Sequence, residues 1–220
     1  MYYPQNDCKN ENMKNNMSFI RFLHAVPNTP PVNIDIYVNN KPVVKNLKYE
    51  DFTEYIPAKS GVYSIQIYPS GNKIEQLLDI RISTEPDKIY TLAVIGTVSD
   101  IELEAFEDYQ IKDKDTAFMR FINISPSNTA FNVFIDDIPV VYDLQYTETT
   151  DYLAIKEGKH TMHIRTENGV TVVSHPNMVL KNGNIYTTYI VGLIEEPPEV
   201  QVLIPLDGSS YIKTNKDLGL

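Results

Sequence analysis

The chain has 220 residues, of which 42% are apolar and 22% charged, and its formal net charge is −10. That length suits two domains of about one hundred residues each, large enough to bury a core without disulfide staples. An acidic chain with no basic stripe repels phosphate backbones, which argues against nucleic acid as a partner, and the lone cysteine, Cys8, excludes an intrachain disulfide framework or a thiolate metal cluster.

Residues 1–17, MYYPQNDCKNENMKNNM, read as a disordered polar tail. The tail lacks the apolar core of a signal peptide, so the chain is expected to start in the cytoplasm. No run of about 18 apolar residues occurs that could cross a bilayer as a helix. From Phe19, FIRFLHAVP reads as a strand, and PNTPPVN as a stiff loop suited to contacts. VNIDIYVNN alternates with period two and ends in Asn39-Asn40, a pair suited to a tight hairpin turn. GVYSIQIYPSGN alternates again and breaks at Pro69-Ser70-Gly71. EPDKIY is a turn, IYTLAVIGTV is a long apolar run fit for a buried central strand, and IELEAF closes the module. This gives about seven short strands and no helix, the pattern of a β-sandwich.

The chain then repeats itself. FMRFINISP from Phe118 matches FIRFLHAVP from Phe19, and across 118–164 there are 14 identities in 47 aligned positions. Further on, Tyr90 and Gly96 of IYTLAVIGTV face Tyr186 and Gly192 of IYTTYIVGLI. Two copies are too few for a solenoid and predict tandem domains at 18–108 and 118–206, a short linker at 109–117 and a C-terminal tail at 207–220. The linker, which contains KDKD, is charge-balanced and expected to restrict the mutual orientation of the domains. Both tails are expected to be poorly ordered.

An arginine recurs in the first strand of each copy, as Arg21 and Arg120. Its neighbours on both strand faces are mostly apolar, which predicts a strand covered on both sides and an arginine that needs an acidic partner. Glu54 and Asp151 are acids at matched positions, as are Asp51 and Glu148. The expected structural ion pairs are Arg21 with Glu54 and Arg120 with Asp151. The rival reading gives each domain a ligand-binding arginine.

These residues resemble a known family. RFLHAVP, DIYVNNKPV, YEDFTEY, GVY and YTLAVIGTV together are similar to the bacterial DUF4397 domain, in two tandem copies. The second copy departs where His24 becomes Asn123, Ala25 becomes Ile124, Asp35 becomes Asn132, and Tyr63 of GVY becomes His160. The resemblance implies all-β, tandem immunoglobulin-like antiparallel sandwiches, often outside the cytoplasm. It implies no established activity, and the departures weigh against a catalytic His24 or Asp35.

Motifs for chemistry are sparse. The sequence contains no Gly-x-Ser-x-Gly elbow, no phosphate-binding glycine loop and no Asp-x-Asp-x-Asp-Gly calcium loop. His160 and His163 would point to opposite faces of a strand, which disfavours a shared metal, and His175 sits in a turn. Asp136-Asp137 reads as a hairpin turn. Tyr37, Tyr49, Tyr55, Tyr63, Tyr68 and Tyr90 crowd copy one and read mainly as core or sheet-surface residues. The expected function is a non-catalytic structural or protein-interaction module, without cofactor or metal, at a bacterial cell or spore surface. The alternatives are a carbohydrate-binding module using exposed tyrosines and an enzyme with a site between the domains.

Overall fold

Alternating apolar residues broken by turn-forming pairs force the chain into short strands. The computed structural model describes residues 16–28, 32–127, 129–194 and 196–217, so Cys8 and most of the 1–17 tail lie outside the described residues. The first repeat forms β1 (Met17–His24), β2 (Ile34–Val38), β3 (Lys41–Leu47), β4 (Ile56–Lys59), β5 (Gly61–Pro69), β6 (Leu78–Thr84), β7 (Ile89–Thr97) and β8 (Asp100–Glu107). The second forms β9 (Ala117–Asn123), β10 (Phe131–Ile135), β11 (Ile138–Leu144), β12 (Leu153–Ile155), β13 (Gly158–Thr166), β14 (Thr171–Leu180), β15 (Ile185–Val191) and β16 (Gln201–Leu203).

Each repeat is a sandwich of two four-stranded sheets. The orders are β4-β1-β7-β8 over β3-β2-β5-β6, and β12-β9-β15-β16 over β11-β10-β13-β14. The all-β expectation holds, with one more strand per copy than the sequence pattern implied. Two details differ from the immunoglobulin-like, antiparallel expectation. An immunoglobulin sandwich places its first two strands side by side, whereas β1 and β2 lie in opposite sheets. Residues 29–31 of the Pro-rich loop after β1 lie outside the described residues, and β1 pairs in parallel with β7, as β9 does with β15.

The hairpin turns follow the sequence. Asn39 and Asn40 have φ of 49° and 64°, and Asp136 and Asp137 have 50° and 62°, the left-handed pair that a tight β-turn needs. Asn39 Oδ1 accepts from the Ser64 N–H at 3.0 Å, and Asp136 Oδ1 accepts from the Thr161 N–H at 2.8 Å, so each turn is tied to the next strand. Gly96 and Gly192 kink the ends of β7 and β15 at φ of 92° and 89°; a Cβ there would lie 2.1 Å and 2.2 Å from the carbonyl oxygens of Asp100 and Glu199.

Three apolar clusters order the layers. One fills the first sandwich around Phe22, Ile36, Ile67 and Leu92, and a second fills the other around Phe121, Phe131, Met162 and Ile190. The third joins Leu23, Ala93, Ile95 and Phe106 to Ile122, Tyr189 and Val191. The β1-β7 sheet therefore packs on the β9-β15 sheet, and the molecule is a stack of four sheets. This explains why β1 and β9 are apolar on both faces: one face meets its own sandwich, the other meets the other repeat.

The expected absence of helix is corrected at the C-terminus. Gly208–Asp217 form α1, beginning inside the segment read as a tail. Gly and Ser at its start are poor helix formers, so sequence propensity did not mark it. Tertiary contacts hold it: the Ile185 N–H donates to Ser210 Oγ at 2.8 Å, and the Tyr211 ring lies 5.3 Å from that of Tyr55.

Candidate functional site

The recurring arginines meet at the interface between the repeats. Arg21 lies on β1 beside Thr91 of parallel β7, and its Nε donates to Thr91 Oγ1 at 2.9 Å. Arg120 lies on β9 beside Thr187 of β15, with Nε donating to Thr187 Oγ1 at 3.0 Å. Parallel pairing thus gives each arginine the same threonine partner.

Beyond Nε, each arginine reaches into the other repeat. Arg21 Nη1 donates to the Leu206 carbonyl at 3.1 Å, and Arg120 Nη1 donates to the Glu107 carbonyl at 2.6 Å. Leu206 and Glu107 are themselves 99 residues apart, the spacing of Arg120 and Arg21. Arg120 Nη2 lies 2.5 Å from Asp108 Oδ1 and 3.7 Å from Asp207 Oδ2. The expected ion pairs are therefore corrected. Glu54 and Asp151 are exposed, and their backbone carbonyls accept from the neighbouring threonine hydroxyls at 2.8 Å. The exposed Glu54 and Asp151 alternate with Tyr55 and Tyr152, which turn inward, while the acids that meet the arginines follow the last strand of each copy.

The tyrosines of the two YxxxTxY segments complete the cluster. Arg21 lies over the Tyr55 ring at 4.7 Å and the Phe52 ring at 4.7 Å, and Arg120 lies over Tyr152 at 4.9 Å. Tyr55 Oη donates to Asp108 Oδ2 at 2.5 Å, and Tyr152 Oη donates to Asp207 Oδ2. The threonine between the tyrosines locks the segment to the first strand, with Thr53 Oγ1 accepting from the Phe22 N–H at 2.9 Å and Thr150 Oγ1 from Phe121 N–H at 3.0 Å. The Gly208 N–H joins the two acids, 2.8 Å from Asp207 Oδ1 and 3.1 Å from Asp108 Oδ2.

Two guanidiniums and two carboxyls thus lie in a closed space, none of the four residues more than 3% exposed. Burial opposes the charge on Arg120, but Asp207, Tyr152, Tyr189 and Asp108 outweigh it and hold its pKa above the usual value. Burial, with the nearby Asp207, pushes Asp108 well above the carboxylate range, against the pull of Arg21 and Arg120. The twofold likeness is broken at Tyr189. Tyr189 occupies the centre of the interface, against the rings of Phe52 and Phe106 at 5.6 Å and 6.1 Å. Its counterpart in repeat one is Ala93, which leaves it room. This cluster joins the two repeats, and its four charged residues are buried.

The other departures between the copies preserve hydrogen bonds. His24 Nε2 bonds the Val32 carbonyl at 2.9 Å and Nδ1 takes the Val26 N–H at 3.4 Å; Asn123 donates from Nδ2 to the Leu144 carbonyl and accepts the Ser125 N–H, both at 3.0 Å. Asp35 Oδ1 accepts the Asn46 N–H at 2.9 Å, and Asn132 Oδ1 accepts the Asp143 N–H at the same distance. Tyr63 Oη donates to the Lys59 carbonyl, and His160 Nε2 lies 2.7 Å from the Lys156 carbonyl. His160 Nδ1 also lies 2.7 Å from Asp136 Oδ2, while His163 Nε2 is 3.9 Å from Asp137 Oδ1. His175 is exposed on β14, within a strand rather than in the expected turn. Of the six tyrosines that crowd repeat one, Tyr37 and Tyr68 are buried and the others half-buried.

The sequence reading missed Asp108 and Asp207. The signal was present, since they recur at the same 99-residue spacing as the arginines, but the second copy was closed at residue 206.

Known proteins bear on this architecture in three ways. The sequence profile of the domain of unknown function DUF4397 matches residues 18–130 and again residues 117–210. No curated protein matches the chain. Among solved structures, the crystal structure of CBMbc, a family CBM26 module of Eubacterium rectale Amy13K in complex with maltoheptaose, is similar at 12% identity, covering 85% of this chain and 96% of that one, with a TM-score of 0.26. At that score the likeness fixes neither strand order nor ligand. The profile matches follow the two repeats whose shared residues build the interface, and the chain belongs to the DUF4397 family as two tandem copies.

Proposed function

We propose that the chain is a non-catalytic structural or protein-interaction module that works at a bacterial cell or spore surface. One observation carries the reading: the buried arginine that recurs in each copy reaches into the other copy. Arg21, Arg120, Asp108 and Asp207 are closed off from solvent and hold four sheets as one body. A rigid stack of this kind presents loops and outer sheets in fixed relative positions, which lowers the ordering cost of binding a second macromolecule. A glycan platform needs exposed aromatic faces; Tyr37, Tyr49, Tyr55, Tyr63, Tyr68 and Tyr90 are buried or half-buried, whereas Tyr109 and Tyr142 are exposed. Crosslinking in bacteria that express the chain, read by mass spectrometry, tests the reading. Crosslinks from the outer-sheet lysines to envelope or spore-coat proteins are expected. Saturable binding on a glycan array, or turnover of a substrate by the purified chain, would overturn it.

A further inference from the structure

We infer that the first repeat carries a binding site for an aliphatic carboxylate, in a cavity between the edge strands β3 and β4. The cavity is about 280 Å³, with Ile20, Phe22 and Ile65 as its floor and Val38, Val43, Ile56 and Ala58 among its walls. Its floor residues are at most 7% exposed, whereas Val43 at the mouth is 42% exposed. Concave, mostly apolar spaces of this scale are where small apolar ligands bind.

The second repeat shows what belongs in this space. Ala58 is matched by Ile155, which packs against the second core, and Ile20 and Ile65 are matched by the longer, unbranched Met119 and Met162, both fully buried. Repeat two therefore supplies from its own side chains the hydrocarbon that repeat one lacks at Ala58. An occupant of the cavity is aliphatic for the same reason that Ile155 is.

Charge at the rim selects the head group. Lys41 pairs with Val38 in the β2-β3 register, so the lysine shares the face of a wall residue, and it is exposed. The matching residue in repeat two is Ile138, itself 65% exposed. The cation is present where the cavity is open. Tyr63 Oη at the rim is committed to the Lys59 carbonyl, which leaves Lys41 to meet an anion.

Calorimetry and amide chemical shifts of the full chain with sodium decanoate and with 1-decanol test the site. Saturable decanoate binding is expected, with shifts at Ile56, Ala58 and Ile65. Ala58→Ile, which copies repeat two, should abolish binding of both probes, and Ala58→Val serves if the larger side chain prevents folding. Lys41→Ala should weaken decanoate by roughly threefold and leave decanol unchanged. The inference is overturned by absent decanoate saturation in the wild type, by undiminished binding in the filled variant, or by equal loss of both probes in Lys41→Ala.

Discussion

Arg120 Nη2 stands 2.5 Å from Asp108 Oδ1, and the two residues belong to different repeats. Arg21 mirrors this by bonding the Leu206 carbonyl of the second repeat. Each copy thus holds a buried arginine that reaches the terminal segment of the other, Arg120 through Nη1 and Nη2 and Arg21 through Nη1. Removing one partner leaves an uncompensated buried charge, which is far costlier than losing an exposed pair.

Arg120→Ala is accordingly expected to lower stability by about 3–5 kcal/mol in urea unfolding. Asp151→Ala, at the exposed position once matched to Arg120 by sequence alone, should change it by less than about 0.5 kcal/mol. Equal effects of the two substitutions would refute the exchanged geometry.

The sequence carried the sandwich because period-two alternation and left-handed turn pairs are local. It also carried the double burial of β1 and β9, through apolar residues on both faces of FIRF and FMRF. It did not carry what covers the second face. Glu54 and Asp151 are acids at matched positions of the two copies, and that match favoured them. The true partners lie beyond β8 and β16, and only folding brings Asp108 and Asp207 beside the arginines. The helix at 208–217 was illegible for a related reason: Ser210 and Tyr211 stabilise it by reaching Ile185 and Tyr55, not by helix propensity.

His24→Asn should be tolerated within about 1 kcal/mol, because Asn123 in repeat two also makes one donor bond, to the Leu144 carbonyl, and one acceptor bond, from the Ser125 N–H. Burial lowers the His24 pKa below 6.5. Its contribution is present above the unfolded value and lost as pH falls through the folded one. The asparagine variant should therefore retain more of its stability under mild acid than wild type, read by thermal melts below pH 6.5. A variant as acid-sensitive as wild type would count against this role for His24.

Two buried carboxyls give opposite pH slopes. Burial works to raise the Asp35 pKa, but hydrogen bonds from Lys45, Asn46, Gly71 and Ser70 outweigh it and hold the group down to about 2, against 3.8 unfolded. Its contribution is present above the unfolded pKa and lost as pH falls through about 2. Asp108 is pushed up to about 8 by burial first and Asp207 second, so its contribution is present at acid pH and lost as pH rises through that value. Asp35→Asn should flatten the acid limb of the stability profile, and Asp108→Asn the decline in stability as pH rises from 3.8 to about 8. Urea titrations on either side of pH 3.8 would separate the two limbs, and an unchanged decline above pH 3.8 in Asp108→Asn would sink the assignment.

Gly208 is tightly enclosed at the interface. A Cβ there would fall 2.2 Å from Ile89 Cγ2, 2.9 Å from Asp108 Oδ2 and 3.2 Å from Tyr55 Cζ. Ile89 and Tyr55 are packed, and the Asp108 oxygen is held by Tyr55, so none of the three can yield cheaply. Gly208→Ala is therefore expected to cost about 1–3 kcal/mol through overpacking, despite alanine being the better helix former. It should also push the Gly208 N–H off the two carboxyls and alter the near-ultraviolet signal of Tyr55 and Tyr152. Ser209→Ala, one residue on, is the control: its hydroxyl has no hydrogen-bond partner, so its loss should not lower the melting temperature. If Gly208→Ala instead raises the melting temperature, helix propensity outweighs the contact, and α1 is not clamped between the repeats.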